Sequence, residues 1–121
     1  MEVDMYEVLA ELNRTNGIKG SMLVGVDGII VAADLGNELE DDTVGALAAS
    51  IITAVKKALS RLGIGLLKHV MIEADNGKIF LAENQFGILV VMTDSEVNIG
   101  LIRLEMKSAL NKIQNSPALV S

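Results

Sequence analysis

Cysteine is absent from the 121-residue chain, which removes disulfides, thiolate nucleophiles and zinc knuckles together. Histidine occurs once, as His69, with no cysteine or second histidine to share a metal, so a packing or surface role outweighs catalysis. Basic residues are in the minority, ten Lys and Arg against sixteen Asp and Glu, and the net charge of -6 argues against a nucleic-acid partner. No uninterrupted apolar run approaches the roughly 20 residues of a membrane span, and the opening MEVDMYEVL is acidic where a signal sequence is basic. The expectation is no membrane insertion and a cytoplasmic protein.

Catalytic and cofactor motifs are also missing. Gly20, Gly25 and Gly28 lie in or beside a hairpin with no Gly-Lys-Ser/Thr after them, so no phosphate-binding loop forms. Glu38, Glu40, Asp41 and Asp42 lack the alternating oxygen ligands and central glycine of a calcium loop and read as a solvated loop and helix cap. No acid, base and nucleophile set can be assembled, so the chain reads as no enzyme, with no cofactor, no metal and no small-molecule substrate.

What is present is apolar surface. Half of the residues are hydrophobic and the mean hydropathy is +0.44, high for a soluble monomer. The length suits one domain, read as residues 1–115, with 116–121 a flexible tail beyond the last helix.

Met5, Val8, Leu9 and Leu12 recur at helical spacing and Asn16-Gly17 stops that helix. Two β-rich runs, 21–26 and 29–33, flank Asp27-Gly28, which predicts a tight hairpin with positive φ at both central residues. A long helix over Thr43 to Leu62 is bracketed by Asp41-Asp42 and by Gly63 and Gly65. Three strands follow, at 68–74, 78–83 and 88–93, as a meander, and a last helix covers 97–114. The class is α+β, in the order α-β-β-α-β-β-β-α, around a five-stranded antiparallel sheet. Consecutive apolar residues in Ile88 to Met92 and Ile29 to Val31 require helices on both faces, the terminal pair on one and the middle helix on the other.

The middle helix carries no charge from Thr43 to Val55. At 100° per residue, Val44, Leu47, Ala48, Ile51, Val55, Ala58 and Leu62 form a stripe expected to lie on the sheet. Gly45, Ala46, Ala49, Ile52 and Thr53 are then expected on the opposite side, a smooth patch suited to close approach by another helix. A chain this small has little left to cover that side, so it reads as a protein interface.

Several local patterns together resemble the roadblock/dynein light chain family, whose prokaryotic MglB-type members are nearest in size. They are Gly25-Val-Asp-Gly-Ile-Ile-Val-Ala-Ala33, the Ala/Leu-rich middle helix ending Leu62-Gly63-Ile-Gly65, Val70-Met-Ile-Glu73 with Gly77-Lys-Ile79, and Asn98-Ile-Gly-Leu-Ile-Arg103. The resemblance spans about Leu9 to Ile113 and implies the roadblock, profilin-like fold. It also implies a dimer, homomeric or heteromeric, in which third strands pair edge to edge and middle helices lie side by side. Lys56, His69, Met71 and Glu73 would join the interface on that basis. Such dimers regulate or scaffold Ras-like small GTPases, and the MglB-type members activate them by reshaping the GTPase's own switch elements. The only arginines here, Arg14, Arg61 and Arg103, fall on or at the end of expected helices, which fits an indirect mechanism without an arginine finger. Alternatives are a passive adaptor that tethers other chains and a small-molecule sensor, which would need an apolar pocket between sheet and helix.

Overall fold

The computed structural model describes residues 4–36 and 39–114. Glu38 and the expected tail 116–121 lie outside them. Helix α1 spans Met5–Asn13, strands β1 and β2 span Ile18–Val24 and Ile30–Asp34, and helix α2 spans Asp41–Leu62. Strands β3, β4 and β5 cover Val70–Ala74, Gly77–Asn84 and Gly87–Thr93, and helix α3 runs from Ile99 to Gln114. All pairings are antiparallel, in the order β2-β1-β5-β4-β3, so β5 joins the N-terminal hairpin to the C-terminal meander.

Local chemistry sets the boundaries. The Asp4 carboxylate accepts from Tyr6 N–H at 2.9 Å to start α1, and Asn98 accepts from Leu101 N–H at 3.1 Å to start α3. Gly63, with φ +66, closes α2 by donating to the Leu59 and Ser60 carbonyls. The first hairpin differs from the two-residue turn expected at Asp27-Gly28. Gly28 N–H donates to the Gly25 carbonyl, Gly25 N–H donates to Ile29, and among the described residues only glycines have positive φ. The loop is therefore a turn over 25–28 followed by a left-handed Gly28, which leaves Val26 and Ile29 outside the strands and exposed.

Two cores sit on either side of the sheet. Leu9 and Leu12 of α1 and Ile102, Met106 and Ile113 of α3 pack on Leu23, Phe80, Leu89 and Val91. Ala48, Ala49 and Ile52 of α2 pack on Met22, Val24, Leu81, Ile88 and Val90. Alternate residues of 22–24 in β1 and 88–91 in β5 thus enter opposite cores, which is why those stretches are apolar without a break. Polar clamps tie the layers. The buried Ser21 hydroxyl donates to Asn13 at 2.8 Å, and Asn13 donates to the Asp34 carbonyl. Lys112 of α3 meets Glu11 of α1 at 2.9 Å, and this hydrogen bond and charge lower the Glu11 pKa. The stability from that exposed pair is present above the ordinary carboxylate range and lost as pH falls through the lowered value.

Gly77 is among the glycines that sit where no side chain fits. A Cβ at Gly77 would lie 2.6 Å from the Thr93 carbonyl oxygen, which belongs to the adjoining strand and has no room to retreat. Gly77→Ala should destabilise the protein by about 1–3 kcal/mol, read as a lowered urea midpoint with an unchanged slope.

Candidate protein interface

Helix α2 meets the sheet through a different arc from that of its most apolar stripe. Gly45, Ala48, Ala49 and Ile52 are its buried residues, whereas Leu47 is 58 % and Leu62 69 % exposed. The cause is backbone proximity. A Cβ on Gly45 would lie 3.2 Å from Val24 Cγ2 and 3.4 Å from Ile30 Cγ1, so the small residues at 45 and 49 mark where the helix presses closest. Gly45, Ala49 and Ile52 are accordingly core residues, contrary to the outward placement expected from periodicity. Ala46 and Thr53 do face outward, joined by Leu47, Ser50, Ala54 and Lys57. The Thr53 hydroxyl donates to the Ala49 carbonyl at 2.8 Å and is satisfied within the helix. Lys56 is held by Glu83 of β4 at 2.9 Å and bridges helix to sheet.

Beyond Val55 the helix outruns its support. Lys57, Ala58, Ser60, Arg61 and Leu62 are exposed, and in the connection to β3 Ile64 is 70 % and Leu66 96 % exposed. Apolar residues in a connection flanked by Gly63 and Gly65 are the sequence signal for this surface. Beside the other end of α2, an open depression of about 680 Å³ lies between the helix and the β1–β2 loop, lined by Val26, Asp27, Gly28, Ala46, Ser50, Thr53 and Lys57 among others.

The connection leads into β3, an edge strand that among the described residues pairs only with β4. Val70 packs toward the α2 core, Met71 toward the core beneath the terminal helices, and Ile72 is 37 % exposed. Glu73 lies 3.4 Å from Lys78, its register partner on β4, and Lys78, itself buried, also donates to the Ser95 carbonyl. His69 stands exposed immediately before the strand. The strand has no proline, no bulge and one charge, so it lacks the usual devices that block strand addition.

By length and composition alone α2 is long and apolar enough to cross a membrane, with a mean hydropathy of 1.3 over its most apolar 18 residues, although Asp41, Asp42, Lys56, Lys57 and Arg61 interrupt it. Its buried arc is committed to the sheet, however, and Lys56 is paired to β4. Among the described residues, no three His, Asp or Glu side chains gather as a metal site. Arg14 caps α1, Arg61 lies in the last turn of α2 and Arg103 is on α3.

The Roadblock/LC7 domain model matches residues 4–93, from the cap of α1 to the end of β5. The chain belongs to the roadblock/LC7 family. Three uncharacterised proteins of Methanocaldococcus jannaschii are each 46 % identical over 107 residues, covering 88 % of this chain and 91–94 % of theirs. Among solved structures, a roadblock/LC7 domain from Streptomyces avermitilis superposes with a TM-score of 0.89 at 20 % identity, covering 98 % of this chain and 100 % of that one. MglB of Myxococcus xanthus gives 0.84 at 19 % identity, over 90 % of each chain. A profilin from Schizosaccharomyces pombe gives 0.66 at 14 % identity, covering 92 % of this chain and 97 % of that one. These structural likenesses show the shared roadblock, profilin-like fold.

Proposed function

We propose that this roadblock/LC7 protein forms a cytoplasmic homodimer that regulates or scaffolds a Ras-like small GTPase. The observation that carries the reading is uncovered surface at three places: the outward side of α2, the exposed apolar residues Leu62, Ile64 and Leu66 that follow, and the open edge of β3. Antiparallel pairing of two β3 edges about a two-fold perpendicular to the sheet would extend it to ten strands and put both α2 helices on the same face. Pairing centred on Met71 sets His69 of each chain opposite Glu73 of the other, an imidazole against a carboxylate. Small outward residues at 46, 50, 53 and 54 would let the two helices approach closely.

The dimer would supply a platform rather than a reacting group. With its three arginines on helices or at a helix end, it would act by holding the GTPase's own switch segments in their hydrolytic arrangement. The related MglB structures, one of them described as a tetrameric arrangement, add support from the family.

Single-turnover GTP hydrolysis by a cognate Ras-like protein, with this chain titrated in and its mass followed by light scattering, tests the reading. Saturable acceleration at one dimer per GTPase is expected. Binding without acceleration would reduce the role to a passive adaptor, and a monomer that binds no GTPase would overturn it.

A further inference from the structure

The face of the sheet opposite α2 holds a cavity of about 450 Å³ between α3 and the β3–β4 end. It exists because α3 packs over β4 and β5, so β3 reaches past the helical cover. Its floor is apolar, built from Phe80, Met106 and Leu110, while Lys68 and His69 stand on one side and Arg103 and Lys107 on the other. The two α3 residues are four apart and so share one helix face.

The charge at this mouth runs against that of the whole molecule. Of ten Lys and Arg in a chain of net charge -6, four are in ion pairs among the described residues: Lys19, Lys56, Lys78 and Lys112. Of the six others, Lys68, Arg103 and Lys107 line this one cavity, and His69 joins them. An apolar cleft with a few convergent polar groups is the usual form of a small-ligand site, and its volume lies in the range of such sites. It is too small to seat a partner helix, whose diameter with side chains is about 10–12 Å. An apolar floor beneath a cationic rim fits a ligand with a hydrocarbon body and one anionic head.

We infer that this cavity binds a free, single-chain amphipathic anion, a long-chain carboxylate or its phosphate analogue. The hydrocarbon lies on Phe80, Met106 and Leu110, and the head group is held between Lys68 on one side and Arg103 and Lys107 on the other. The site is independent of the GTPase reading. In the proposed dimer the two cavities would open on the face opposite the paired α2 helices, so cavity and platform could be occupied together.

Isothermal titration of the 121-residue chain with dodecanoate, below its micellar concentration, tests the site. One saturable site per chain is expected, with dodecylammonium failing to bind. Arg103→Glu with Lys107→Glu should weaken dodecanoate binding at least tenfold, and Lys68→Glu should do so from the opposite wall. All three residues are exposed, and an unchanged melting temperature would separate loss of the site from loss of the fold. No saturable binding, equal binding of dodecylammonium, or undiminished binding by the folded charge-reversal variants would each overturn the assignment. Adsorption only to anionic lipid vesicles, with no uptake of free dodecanoate, would overturn it as well.

Discussion

Ile52→Glu will leave no cooperatively folded protein. The side chain is 1 % exposed and packs in the core with Met22, Val24, Ile88 and Val90. Truncation of such a residue to alanine alone costs about 2–5 kcal/mol. A carboxylate there adds the penalty of an unpartnered buried charge, against a total stability of about 5–15 kcal/mol for a domain. Thermal and urea denaturation followed by circular dichroism should show a lost or sharply lowered transition. Ile52→Val, which keeps the shape, should cost only about 0.5–1.5 kcal/mol. A stable, monomeric Ile52→Glu would mean that the residue faces outward after all.

Charge placed one helix face away gives the opposite result. Ala46→Glu, Thr53→Glu and, on the strand edge, Ile72→Lys lie on the exposed surface. Each should weaken self-association at least tenfold, about 1.4 kcal/mol, while the monomer keeps its secondary structure. Like charges would face one another across the two-fold, and an edge lysine is a common guard against strand addition. Sedimentation over a concentration series reads the effect. A dimer of unchanged affinity in all three variants would remove α2 and β3 from the interface.

How much of this was legible in the sequence depends on the scale of the feature. Element order came from local signals such as Asn16-Gly17, Asp27-Gly28, Gly63 and the 3.6-residue spacing of Ile99, Ile102, Met106, Ala109, Leu110 and Ile113 in α3, of which Ile102, Met106, Ala109 and Ile113 are buried and Ile99 and Leu110 half-buried. The arc of α2 was misread because periodicity rewards large apolar residues. Close packing at this crossing favours the smallest, so Gly45 and Ala49 went under the helix and Leu47 stayed outside. Asp27-Gly28 located the first turn, but the loop type depends on the β1–β2 register, which shifts between Leu23 and Val24. The cationic cavity was not legible at all. Lys68 and Arg103 are 35 positions apart, and only the placement of α3 relative to the outer strand brings their neighbourhoods together.

The pairing of β1 with β5 also sets a timetable for synthesis. Met22 finds its partner Val90 only after 68 further residues have been made, roughly 3–14 s at ribosomal speeds. Until then the nascent β1–β2 hairpin has one side of β1 unpaired, and the apolar residues 22–24 lack the strand that will bury them. Such an edge is open to pairing with other nascent chains. Expression yield should therefore be governed by how fast residues 88–93 emerge and dock, and slow translation between α2 and β5 should favour aggregation even when the finished protein is stable.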